Sequence, residues 1–162
     1  MVELASIRSG IGESMEDRYL FKAKRLDNGE WVIGNLIQNP FFKGVRSWIS
    51  SEQEDKTRLR SISRTQALWN SIEVDSSTIC QCTGLKDKNG KLIWENDIVS
   101  YWDSYSTENG LAEADCIGKV VWDDETISFQ VTNRLSAESW EVLDDECSVV
   151  GNAIGNPELL EV

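Results

Sequence analysis

Residues 80–99 read CQCTGLKDKNGKLIWENDIV, and the fold is decided there. Asn89-Gly90 stands between two short apolar runs. An Asn-Gly pair in that setting predicts a two-residue hairpin, because both residues tolerate the positive φ that the tight turn needs. The stretch closes on an acidic corner, Glu95-Asn96-Asp97, which feeds Ile98 and Val99. Residues 91–94 and 97–101 are therefore predicted as short strands around that corner. Nothing in the stretch supplies a chemistry.

Downstream, residues 103–114 contain Asn109-Gly110 and little apolar material, so a loop is predicted. Residues 115–122 read as a strand, turned by Asp123-Asp124-Glu125 and returning over 126–132. In the return, Ile127, Phe129 and Val131 fall on one face and Ser128, Gln130 and Thr132 on the other, the cleanest period-2 alternation in the chain. Residues 140–143 and 147–154 are two more predicted strands, and Pro157 opens a helical turn over 158–161.

Upstream, residues 19–25 and 30–38 form a predicted hairpin around Asp27-Asn28-Gly29, a turn suited to a bulge. Trp31, Ile33 and Ile37 share one face with Asn35, so the alternation is imperfect. Gly34, between Val32 and Leu36, predicts a bulge or the close approach of another backbone. Asn39-Pro40 breaks the pattern. A strand follows over 45–50, then a polar loop over 51–65 and a strand over 67–74, with Ser63 alternatively capping a short helix. Asp75-Ser76-Ser77-Thr78 is suited to cap a single helical turn over 76–80. About ten short strands with frequent turns and no long amphipathic helix predict a barrel or a sandwich.

At 162 residues the chain fits one domain or two small ones. We expect a disordered extension over 1–14, an N-terminal β subdomain over 15–79, and an acidic β-barrel subdomain over 80–162 that shares a core with it. No apolar run approaches the roughly 20 residues of a bilayer-spanning helix. No secretory leader is recognisable at the start. Cys80, Cys82, Cys116 and Cys147 have no framework spacing and are expected to be reduced, half-buried thiols. The expected compartment is the cytoplasm. There is no histidine, which excludes Ser-His-Asp and Cys-His catalysis, HExxH sites and Cys/His zinc fingers.

The net charge of −12 is unevenly placed. Residues 1–100 hold 14 Lys/Arg and 14 Asp/Glu, whereas residues 101–162 hold 2 and 14. Within the latter, Asp123-Asp124-Glu125 and Asp144-Asp145-Glu146 are triple-acid clusters. Such a surface keeps a protein soluble, meets a basic partner, or imitates the phosphates of DNA; it does not itself bind DNA.

Residues 19–25 (YLFKAKR), then Gly29-Glu30-Trp31-Val32 with Gly34, then residues 83–91 (TGLKDKNGK) with Glu95, Asp97, Ile98 and Val99 resemble the YopX family of phage and prophage proteins. The likeness resumes at Gly118, Val120, Trp122 and Phe129, and closes on Val149-Val150-Gly151-Asn152 and Asn156-Pro157-Glu158-Leu159-Leu160. It covers about residues 15–160. Asn96 stands where the family most often has Gly, and Asn tolerates left-handed backbone well enough to keep the corner. Cys82 stands where Tyr is usual, and residues 51–66 are longer than the usual connection. The resemblance implies a mainly β protein of small SH3-like or partly open β-barrel elements with short helical turns. It also implies a mobile-element origin and an oligomer, but no activity.

Cys80 and Cys82, two apart on a strand, can share a metal, but only Cys116 and Cys147 remain as further thiol ligands and their spacing does not help. Glu95, Asp97, Asp123, Asp124 and Glu125 can hold a divalent cation or act as acid and base. Without a nucleophile or base partner they read as turn residues. We therefore assign no catalytic residue, no cofactor and no metal site. Most tryptophans (Trp31, Trp48, Trp69, Trp94, Trp122, Trp140) are expected in the core or at its lid. The expected interaction surface combines Tyr101, Trp102 and Tyr105 with Asp123, Asp124, Glu125, Asp144, Asp145 and Glu146. Lys56, Arg58, Arg60 and Arg64 are the candidate phosphate contacts, although direct nucleic-acid binding is not the main expectation. That expectation is a non-enzymatic homo-oligomer that also meets a host or phage protein through its acidic C-terminal part, with no membrane association. The alternative is a nucleic-acid-associated or DNA-mimicking factor.

Overall fold

The structure, a computed structural model, describes residues 17–39, 46–50, 71–107, 110–133, 139–142 and 146–161. The extension over 1–14, Pro40 of the Asn39-Pro40 break, the polar loop with its Ser63 cap and Trp69 lie outside these residues. The chain divides into two compact units, Met1–Cys82 and Thr83–Val162. The fold is mainly β, as expected. Its strands form antiparallel sheets in the orders β4-β3-β2-β1-β5-β6 and β10-β9-β8-β7-β11, and neither closes into a barrel among the described residues.

In the first unit, β1 (Phe21–Lys24) and β2 (Trp31–Asn39) form the expected hairpin, with Gly29 at φ +74° in its turn. β3 (Arg46–Ser50) pairs with β2, and β4 (Ile72–Val74) pairs with β3. Gly34 is the predicted close approach: a Cβ there would lie 2.1 Å from the Ser50 carbonyl oxygen, so only glycine lets the two strands meet. Asp75 caps a 3-10 turn, Ser76–Thr78, by accepting from the Ser77 amide at 3.0 Å. Ala23, Val32, Ile49 and Val74 are buried together, with Phe21, Leu36, Ile72 and Ile79 packed against them. Ala23 faces Val32 in register, so the neighbouring pairs Lys22–Ile33 and Lys24–Trp31 occupy the opposite face of the hairpin.

The division falls within β5 (Cys80–Lys86), whose Cys80 and Gln81 pair with β1. In the second unit, the turn after β5 is not the two-residue form. The Asp87 amide donates to the Lys91 carbonyl and the Gly90 amide to the Asp87 carbonyl, and of Asn89 and Gly90 only Gly90, at φ +79°, is left-handed. This is a three-residue turn with a glycine bulge leading into β6 (Leu92–Trp94). The next corner does need a left-handed residue, and Asn96 supplies it at φ +63°.

β7 (Asp97–Thr107) and β8 (Gly110–Asp123) pair without interruption from Ile98–Lys119 to Thr107–Gly110. The loop expected over 103–114 is thus strand apart from residues 108–109, which are not described. β11 (Ser148–Asn152) pairs with β7 only as far as Ser100, and β9 (Ser128–Asn133) with β8 only from Gly118. From Tyr101–Cys116 onward the two strands form a ribbon that no third strand joins among the described residues. β10 (Ser139–Val142) pairs with β9, and a 3-10 turn, Pro157–Leu160, ends the chain with proline at its start as predicted. Ile93, Val99, Val120, Val131 and Cys147 form the apolar cluster, with Tyr101, Phe129 and Val149 against it.

The β8–β9 turn departs from the predicted alternation. Ile127 belongs to the turn and not to β9; it is left-handed at φ +54° and 75% exposed. A β-branched residue is strained in that region. Replacing Ile127 by Asn is expected to raise stability by about 1 kcal/mol, measured as a higher thermal midpoint. A midpoint that falls would contradict the strain.

Candidate functional site

The acids that sequence reasoning weighed for chemistry are used as structural ties. Asp87, buried at the end of β5, accepts from the backbone amides of Asn89 (2.9 Å), Lys91 (2.9 Å) and Val149 (3.0 Å). Burial opposes its charge, but these amides and the Asn89 side chain outweigh it and hold the carboxyl below its ordinary range. Asp97, also buried, accepts from the Trp94 amide at 3.0 Å and from Asn152 Nδ2 at 2.9 Å. Between them, Asn96 donates to the Val120 carbonyl and accepts from the Ala153 amide, both at 2.8 Å. The corner therefore ties the C-terminal end of β11 to β8.

The turn acids are also engaged. The Thr126 hydroxyl (2.7 Å) and the Glu125 amide (3.0 Å) donate to Asp123 and lower its pKa against a smaller cost of burial. Asp124 accepts from Trp122 Nε1 at 2.9 Å. Glu125 and Glu146 are exposed. Lys56, Arg58, Arg60, Arg64, Asp144 and Asp145 lie outside the described residues. No group of three or more His, Cys, Asp or Glu among the described residues is placed to hold a metal ion. None of the four cysteines is in a disulfide, and all are buried where half-burial was expected.

The expected aromatic cluster is split by strand alternation. Tyr101 packs against the apolar cluster, whereas Trp102, its neighbour on β7, faces out and is 63% exposed. Tyr105 stands opposite Ala112 in the ribbon. On the face of Trp102 lie Asp115, its register partner, and Ile117, which is also exposed. Trp122 is exposed too, edge-on to Phe129.

A second surface escaped sequence reasoning. On the outer face of the β1–β2 hairpin, Trp31 and Ile33 are 37% and 42% exposed. The ammonium groups of Lys22 and Lys24 lie 5.3 Å and 5.6 Å from the Trp31 ring centre, in cation–π range. The signal was present: two lysines two apart, opposite an aromatic and an aliphatic residue also two apart. It becomes visible only once the register is known. Arg25 does not join this face as a free charge, since it is paired with Asp27 at 2.6 Å. Asp75 is held below its ordinary range chiefly by the Ser77 hydroxyl and amide, with a smaller contribution from Lys24.

Charge follows the division between units. Met1–Cys82 holds 11 Lys/Arg and 11 Asp/Glu, net zero, and Thr83–Val162 holds 5 and 17, net −12.

Asp87 makes a pH test possible. A lowered folded pKa means that its contribution is present above the ordinary value of 3.8 and is lost as pH falls through the folded value. Asp87→Ala is expected to cost about 3 kcal/mol near neutrality, because three backbone amides lose their acceptor. It should also flatten the acid limb of a pH–stability curve below about pH 4. An unchanged acid limb in denaturant melts would refute the assignment.

A family model described as YopX protein matches residues 20–161. No curated protein matches the chain. Among solved structures, protein EF1440 from Enterococcus faecalis is 23% identical, with a TM-score of 0.46 over 86% of this chain and 96% of that one. With the family's model spanning nearly its whole length, the chain belongs to the YopX family.

Proposed function

We propose that the chain is a non-enzymatic, phage- or prophage-derived interaction module of the host cytoplasm. It assembles with itself and meets a host or phage protein through its acidic C-terminal unit. One observation carries this reading. The entire net charge of −12 lies in the unit that also exposes Trp102, Ile117, Trp122 and Ile127. Exposed apolar side chains among uncompensated acids suit a partner surface better than a merely solvated one. The engagement of Asp87, Asp97, Asp123 and Asp124 in local hydrogen bonds weighs against acid–base or metal chemistry by them. It weighs equally against an array of carboxylates imitating DNA phosphates.

Light scattering should give a mass that is a multiple of 18.3 kDa. A pull-down from host lysate should recover a basic protein at about 0.05 M salt and lose it at about 0.5 M, as screening of exposed charge requires. A monomer that captures nothing at either salt would overturn the reading.

A further inference from the structure

We propose that Asn89-Gly90 is a self-modifying site. Asn89 deamidates through a ring closed by the Gly90 amide nitrogen, and the carboxylate that results releases β11 from the turn that holds it. This goes beyond the interaction reading above and does not depend on it.

The turn is stitched to the start of β11 at three successive residues. Asp87 Oδ2 accepts from the Val149 amide at 3.0 Å, the Lys88 amide donates to the Cys147 carbonyl at 3.0 Å, and Asn89 Nδ2 reaches Ser148 Oγ at 3.4 Å. Asn89 Nδ2 also lies 3.4 Å from Asp87 Oδ2, the same oxygen that holds Val149. The dipeptide is itself reactive. Glycine puts no Cβ beside its amide, so the side-chain carbonyl carbon of a preceding asparagine can reach that nitrogen. The described residues include a second such pair, Asn28-Gly29, whose carboxamide is clamped. Asn28 Oδ1 accepts from the Glu30 amide at 3.0 Å, and Nδ2 donates to the Glu30 carboxylate at 2.8 Å. The two 3.4 Å contacts of the Asn89 carboxamide are long for N–H···O bonds. In both turns the glycine amide donates across the turn, Gly29 to Arg25 at 3.0 Å and Gly90 to Asp87 at 2.8 Å. Reaction therefore waits on an opening of the turn, and Asn89 then has less to give up than Asn28.

Water is the only other reagent. Gly90 N attacks Asn89 Cγ; that bond forms, the bond from Cγ to Nδ2 breaks, and ammonia leaves with the proton of the Gly90 amide. Water then opens the ring at either carbonyl. Opening at Cγ gives aspartate. Opening at the main-chain carbonyl gives isoaspartate, whose backbone runs through the side chain and is one carbon longer. Both products replace a donor beside Asp87 Oδ2 with a carboxylate of like charge, which disfavours the ionised Asp87 that holds Val149. The longer backbone also displaces the Lys91 amide that Asp87 accepts.

The test keeps the full chain folded in mildly alkaline buffer. Peptide mass spectrometry follows each Asn-Gly pair, Asn109-Gly110 included, by the mass difference between NH and O. Asn89 is expected to convert about tenfold faster than Asn28, which must break a hydrogen bond to a charged group. Converted chains carry one more negative charge and separate by ion exchange. In them the Val149 amide should exchange its hydrogen about tenfold faster, with the amides of the β1–β2 hairpin unchanged. Asn89→Gln should show neither conversion nor faster exchange, and Asn89→Asp should show the faster exchange from the outset. If Asn89→Asp does not fold, the converted wild-type chains still decide. Conversion of Asn28 as fast as Asn89 would overturn the site. Conversion of Asn89 with Val149 exchange as slow as in fresh protein would overturn the release of β11.

Discussion

A buried carboxylate held by backbone amides fixes the acidic unit. Asp87 turns the chain after β5 and then accepts from the Val149 amide, which lies 62 residues further on. One side chain thereby closes a local turn and a long-range contact. Such a group is costly to bury unless several donors converge on it, and here the donors are backbone amides that exist only in the folded arrangement. Asp97 repeats the device at the next corner through Asn152. The two acids bracket β11, and in the family-like stretch that contains them they shape the backbone.

The sequence showed this core clearly where turn chemistry and alternation agreed. The first hairpin and the Asn96 corner were readable because each needs a left-handed residue, the Gly34 contact because a Cβ would not fit, and the Asp75 cap because a short acidic side chain can accept from a turn amide. The ribbon beyond Tyr101 was not readable. Backbone pairing continues from a supported base without any apolar pattern, so polar residues 103–107 looked like a loop. Ile127 misled for the opposite reason: it fitted the alternation of β9, yet it sits in the turn at positive φ.

The surfaces were the least legible. Composition located the acidity correctly in the C-terminal part, but not which acids were engaged at home. Tyr101 and Trp102 are neighbours in sequence, so they were grouped together, while strand geometry sends one inward and the other out. The lysine-flanked Trp31 lay in a segment whose net charge is zero, and only the register of β1 against β2 brings its parts together.

The fully buried thiols give the molecule built-in clocks. Cys80 and Cys82 belong to one compact unit, Cys116 and Cys147 to the other, and each is at most 4% exposed. A buried thiol reacts only when its surroundings open. The rate at which each pair is alkylated therefore times the opening of its own unit, without any label being introduced. A difference between the two rates would tell which half of the chain yields first.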